Sequence, residues 1–303
     1  MSDAVPDLRD IRKEVDGLLT RSGARGVLPT PVDDLVAAAG LVKPKQSMFA
    51  ELVLGEAPEH LRRPMRKLKF KIRALLDRKT REVHIDPSID NPGQVAFKTL
   101  HEVTHDLLPW QSELGYADDD GTLSPSTRRL FEWQANVGAA ELLFQRTLFS
   151  DAANEYAIGL GAVFDLAGQF GSSRRAALHR YAETHRVAVA ALVLDLSPVS
   201  PETLAYRRYE IVCSKSFAAE FGSAILWPRV LRSPPYTFVE AAGAARASSE
   251  VVSSQLLLPD RNNVSRELIV ELSSNSYNLL VLVWLPRRER GRHRRIVVVG
   301  KAA

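Results

Sequence analysis

The sequence predicts an α+β protein in two parts: a mostly helical N-terminal domain holding a small β-sheet, then a strand-rich mixed α/β domain. Three observations predict this. Apolar residues recur at helical spacing through most of the first part, whereas beyond residue 204 they fall into short strand-like runs. A stretch rich in proline, serine and threonine, 196–204, lies between the two textures. Charge divides there too: residues 1–200 hold 25 basic and 27 acidic side chains and residues 201–303 hold 15 and 9, although the whole chain is only +4. The expected organisation is therefore a domain over 1–195, a linker over 196–204 and a second domain over 205–303.

In chain order, residues 7–22 place Leu8, Ile11, Val15 and Leu18 on one helical face. Pro29-Thr30-Pro31 reads as a turn and a helix start, with Thr30 as N-cap and Pro31 at the first helical position. Gly40 fits the stop, so the N-terminal helices occupy 7–40. They make half of a helix-turn-helix, without a third helix or a polar recognition face, which argues against DNA binding here. Residues 43–66 carry no clear pattern. KIRALLDRKTREVHIDPSI reads as strand, turn, strand about Asp77-Arg78-Lys79-Thr80, with Val83 and Ile85 in period two. Asn91-Pro92 caps a helix over 92–108 that stops before Pro109. A polar loop, 111–125, follows Trp110. Ser126 or Thr127 starts the next helix, 127–144. Two or more helices are expected over 151–193, broken and capped again at Gly171-Ser172-Ser173. Past the linker, YEIVCSKSF, SQLLLP, ELIVELSS, YNLLVLVWLP and RRIVVVGKA read as strands.

With 45% apolar and 25% charged residues over 303 positions, the composition excludes a disordered or fibrous chain. A single cysteine, Cys213, excludes an internal disulfide and fits a reducing compartment, so a cytoplasmic location is expected. Its setting suggests a small buried hydrophobe rather than a nucleophile. The N-terminus lacks the apolar run of a signal peptide, and no apolar run is long enough to span a membrane. Arg287, Arg288, Arg290, Arg292, Arg294 and Arg295 cluster in one polar turn, a candidate contact for phosphate or a protein partner.

The strongest chemical signal is His101-Glu102-Val103-Thr104-His105, inside the helix over 92–108. Residues four apart share a helical face, so both imidazoles can reach one metal ion. Glu102, beside the first histidine, can take a proton from water in an open coordination position. Ala96, Phe97, Leu100, Val103, Leu107 and Leu108 would bury the helix. A third ligand must come from elsewhere, and spacing leaves Glu113, Asp118, Asp119, Asp120, Glu132 and Glu141 as candidates. Glu132 and Glu141 project to opposite sides of their helix, so one of the two at most can serve. Asn136 lies one turn past Glu132 and is a candidate to orient a ligand.

AFKTLHEVTHDLL followed by FEWQANVGAAELLF resembles the ImmA/IrrE (DUF955) family of metallopeptidases. Phe97, His101, Glu102 and His105 match its first motif, and Glu132, Ala135, Asn136, Ala139, Ala140, Leu142 and Leu143 its second. Leu28, Pro29, Pro31, Val32 and Asp33 match an upstream stretch, and the similarity spans roughly 10–190. Leu100 stands where the family often has alanine, Thr104 replaces a frequent glycine, and Gly138 stands where a bulky aromatic is expected. The resemblance implies a zincin-like domain of gluzincin arrangement over 1–195, with Glu132 rather than Glu141 as third ligand. It implies Zn²⁺ as cofactor, with Mn²⁺ as the alternative ion. It also implies a helix-turn-helix repressor as substrate, and, from the radiation-response branch, a GAF-like sensor fold for 205–303.

On this reading Glu102 is the catalytic base, and Tyr116, His179 and His185 are candidate oxyanion donors. Trp110 and Trp133 are expected in the core beside the site. The competing class is a non-catalytic regulator whose metal site is structural and whose basic C-terminal domain binds nucleic acid or a protein. The retained Glu102 favours the peptidase.

Overall fold

The computed structural model describes residues 7–49, 73–111, 124–199, 204–222, 227–248, 250–275 and 277–286. The fold is α+β, and the chain divides into two compact units, Met1–Arg186 and Val187–Ala303.

In the first unit, α1 (Leu8–Arg21) starts at Asp7, which forms a capping box with Asp10, and buries Ile11, Val15, Leu18 and Leu19. The second helix, α2 (Val32–Ala38), has Pro31 at its N-cap with no side-chain cap bond. Thr30, expected to cap it, instead donates its hydroxyl to the Leu143 carbonyl at 2.8 Å. That tertiary bond competes with the local one and wins because Thr30 is buried. Gly40 follows with φ +70, a conformation suited to glycine.

Strands β1 (Ala74–Asp77) and β2 (Glu82–Ile85) pair antiparallel. In their turn the Asp77 carboxylate accepts from the Lys79 and Thr80 amides at 2.8 and 3.2 Å. Arg81, at the end of that turn, donates to the Ala39 carbonyl and grips the Asp106 carboxylate with two nitrogens at 2.5 and 2.9 Å. It thereby ties α2 and the hairpin to α3 (Pro92–Leu107). Asn91 caps α3 through the Gln94 amide, as expected. A Cβ on Gly93 would lie 2.3 Å from the backbone of Ser172 and Ser173, so only glycine lets α3 approach that turn.

Helix α4 (Pro125–Leu143) starts at Ser124, whose hydroxyl accepts from the Thr127 amide. Ser124 takes the cap ahead of the expected Ser126 or Thr127 because Pro125 suits the first helical position. Then come α5 (Thr147–Glu155), α6 (Leu160–Phe170) and α7 (Arg174–Thr184), with Gly171 left-handed and Ser173 capping α7. Phe149 packs edge-on against Phe144 and Phe170, with ring centroids 4.7 and 5.1 Å away.

The second unit is built on a six-stranded antiparallel sheet of order β5-β4-β3-β8-β7-β6. Its strands are β3 (Val189–Asp195), β4 (Ala205–Cys213), β5 (Val230–Arg232), β6 (Val252–Pro259), β7 (Ser265–Ser274) and β8 (Asn278–Trp284). Strand β3 corrects the expectation of helix through 193. It lies between β4 and β8, and its residues from Val189 to Leu194 are all buried. A strand buried on both faces shows no alternation, and length alone cannot separate it from a helical segment. The sheet therefore begins ahead of the proline-rich stretch.

YEIVCSKSF likewise splits: β4 ends at Cys213, and Ser214 caps α8 (Lys215–Phe221) through the Phe217 amide. A 3-10 turn (Thr237–Ala241) and α9 (Ala242–Ala247) precede β6. Phe217, Phe221, Phe238 and Ala242 pack with Leu192, Val270, Leu272 and Val281 in one apolar core. RRIVVVGKA and the arginines 287, 288, 290, 292, 294 and 295 lie outside the described residues. Among the described residues no helix is long and apolar enough to cross a membrane.

Candidate metal centre

The site is made where α3 and α4 pack together. Leu100, Val103, Thr104 and Leu107 form the buried side of α3, and Ala135, Gly138, Ala139 and Leu142 that of α4. Thr104 donates its hydroxyl to the Leu100 carbonyl at 2.7 Å. A Cβ on Gly138 would stand 2.3 Å from its methyl carbon. Two of the three departures from the ImmA/IrrE pattern, Thr104 and Gly138, therefore meet one another. A larger residue at 104 faces the missing side chain at 138, so the helices keep close contact with the bulk moved across the interface.

This approach brings together the donors that spacing on one helix cannot. The Nε2 atoms of His101 and His105 are 3.1 Å apart. Glu132 sets one carboxylate oxygen 3.4 Å from His101 Nε2 and the other 3.6 Å from His105 Nε2. Among the described residues this is the group of three suited to a metal ion, with ligand atoms all within 4.8 Å of one another. Tetrahedral bonds of roughly 2.0–2.1 Å put neighbouring ligand atoms about 3.3 Å apart. The observed separations straddle that value, and two imidazoles with one carboxylate are an ordinary donor set for zinc, so these residues fit a metal.

The electrostatics agree. Burial pushes the His105 imidazole below its usual value, and the neighbouring His101 acts in the same direction. That favours the neutral, ligating form. A hydrogen bond with His101 holds the Glu132 carboxyl below the usual range against the opposing effect of burial. Glu102 goes the other way. Burial pushes its carboxyl up and Glu132 adds to the rise, while His101 and the Leu76 amide pull it back. A carboxylate raised toward neutrality is a better proton acceptor.

Glu141 has a different task. It is buried, and its carboxylate lies 3.3 Å from Arg12, 3.3 Å from Arg180 and 3.9 Å from Arg146. It holds α1 and α7 to α4 and leaves the third position of the donor group to Glu132. Asn136 lies one turn beyond Glu132 on the exposed side of α4. His179 is exposed on α7, and His185 is buried with its ring centroid 4.7 Å from that of Tyr181. Neither joins the donor group. Tyr116, Glu113, Asp118, Asp119 and Asp120, with most of the loop 111–125, lie outside the described residues.

Trp133 was expected in the core but is 49% exposed, because positions 134, 135 and 138 take the inward side of α4. Trp110 does lie beside the site, bonded to Gln134. Sequence reasoning passed over Gln111 and Gln134. Gln111, nearly fully buried, has its amide oxygen 2.7 Å from His105 Nδ1. The available signal was a glutamine six residues past a metal-binding histidine, which is too common to single out.

A helix-borne histidine pair, an adjacent half-buried glutamate and a carboxylate from the next helix are the groups that a metallopeptidase site requires. Residues 62–182 match the model of the IrrE N-terminal-like domain, Peptidase_M78. A solved Mycobacterium tuberculosis transcriptional regulator shares the fold with a TM-score of 0.53 at 16% identity, over 91% of this chain and 75% of that one. No curated protein matches the chain.

Proposed function

We propose that the protein is a zinc-dependent endopeptidase that cleaves a helix-turn-helix repressor and so relieves repression of stress-response or mobile-element genes. The observation that carries the reading is the convergence of His101, His105 and Glu132, with Glu102 half-buried next to them on the same helix as the histidines. A structural metal site has no need of a second acidic group held at a raised pKa. The peptidase family matched at 62–182 and the regulator that shares the fold support a protease acting in regulation.

His101, His105 and Glu132 would hold the ion. When bound, it supplies a Lewis acid that polarises a peptide carbonyl and acidifies water. Glu102 accepts the proton of the attacking water and returns it to the leaving amine. Its partial burial raises its proton affinity for the first transfer.

The test uses the purified 303-residue protein, Zn²⁺ and, as candidate substrate, any small helix-turn-helix protein found encoded beside its gene. Wild type should cut that protein in a metal-dependent way. Glu102→Gln should bind Zn²⁺ equally well and lose cleavage by at least a thousandfold. Equal cleavage by both would refute the assignment of Glu102. Absence of cleavage by metal-loaded wild type would favour a regulator whose metal is structural.

A further inference from the structure

We infer that a buried relay from Trp110 through Gln134 and Gln111 sets the tautomer of His105 and makes Gln111 a positioning residue of the metal site. The inference rests on the metal-binding part of the reading above, not on proteolysis.

The relay has a direction that its end members impose. The indole nitrogen of Trp110 can only donate, and it donates to the Gln134 side-chain oxygen at 3.0 Å. That oxygen also accepts from the Gln111 amide nitrogen at 2.7 Å. The same nitrogen lies 3.4 Å from the Phe131 carbonyl, which can only accept. Gln111 is thereby held with its nitrogen toward Gln134 and its oxygen toward His105. An amide oxygen has no proton to give, so the 2.7 Å contact with His105 Nδ1 requires the proton on Nδ1.

The lone pair of His105 is then on Nε2, the atom that faces His101 and Glu132. Turning the Gln111 amide over would set its oxygen against the Gln134 oxygen. Both glutamines are almost fully buried, so water cannot relieve that repulsion.

The relay also spans the two helices that hold the ligands. Gln134 is on α4 two residues past Glu132, and Gln111 follows the end of α3, which carries His101 and His105. The bond that orients His105 therefore also ties that histidine to the helix of the third ligand.

The experiment is a ¹⁵N NMR measurement of the His105 tautomer in metal-free protein, with Zn²⁺ affinity measured by competition with a chromophoric chelator. Wild type should show Nδ1 protonated and Nε2 bare. Gln111→Leu, of similar volume, should populate both tautomers and weaken Zn²⁺ binding by about 10–100-fold. Trp110→Phe keeps the ring and removes the donor, and should shift the tautomer with a smaller loss of affinity. Both readouts are taken on soluble, folded protein, and two variants at different points guard against one failing to fold. An Nε2-protonated wild type would overturn the inference, as would Gln111→Leu with unchanged tautomer and affinity. Neither result depends on whether a repressor is cut, so this failure is separable from failure of the peptidase reading.

Discussion

Gly138→Ala tests the helix crossing that assembles the site. The added Cβ falls 2.3 Å from the Thr104 methyl carbon and 3.1 Å from its hydroxyl oxygen. Carbon atoms pack best at roughly 3.5–4.0 Å, so α3 and α4 must part by about 1 Å. Overpacking of this size costs about 1–3 kcal/mol, and alanine's better helix propensity returns up to about 1 kcal/mol. The variant should be less stable by about 1–2 kcal/mol.

The same movement separates Glu132 from the histidine pair, so Zn²⁺ affinity should fall with stability. Thr104→Ser removes the clashing methyl but keeps the hydroxyl that bonds to Leu100. Alone it should cost about 1 kcal/mol. Combined with Gly138→Ala it should recover stability and Zn²⁺ affinity, with a coupling of about 1–2 kcal/mol. Hydrogen exchange read by mass spectrometry over α3 and α4 localises the change to this unit, which matters because the two units need not unfold together. Additive effects of the two substitutions would refute the reasoning, as would Gly138→Ala with unchanged exchange and affinity.

The remaining predictions concern the charged and reactive groups. Glu141→Gln removes the buried carboxylate shared by Arg12, Arg146 and Arg180, while Arg180 keeps Glu183 and Arg146 keeps Asp16, so the N-terminal unit should lose about 1–3 kcal/mol with Zn²⁺ affinity of the folded protein kept. Glu132→Gln, at a half-exposed position, should do the reverse, and urea titration with chelator competition on both variants separates the cases. Burial pushes the Cys213 thiol up to about 11. At pH 8 its thiolate fraction should be roughly a hundredfold below that of an ordinary cysteine, and iodoacetamide should label it slowly in folded protein and rapidly in urea. Because the folded value is the raised one, its contribution to stability is full below the unfolded pKa and is lost as pH rises toward 11. Rapid labelling of folded protein at pH 8 would contradict this.

Much of the N-terminal unit was legible from local rules. Asn91-Pro92 and Ser173 cap helices as their types require, and the β1–β2 hairpin turns at Asp77 as expected. Expectations failed where a distant partner outbid a local one. Thr30 gave up capping for the Leu143 carbonyl, and Val189–Asp195 became a central strand because neighbours on both sides supply its hydrogen bonds.

By itself the sequence determined the pairing of His101 with His105 and the place of Glu102, because four-residue spacing on a helix sets those positions without help from the rest of the chain. It could not rank Glu132 against Glu141 from spacing, show that Thr104 and Gly138 compensate each other, or find Gln111. Those outcomes depend on how closely α3 and α4 approach and on which side chains are left without water between them. Distances across two helices come from packing, which only the tertiary structure decides.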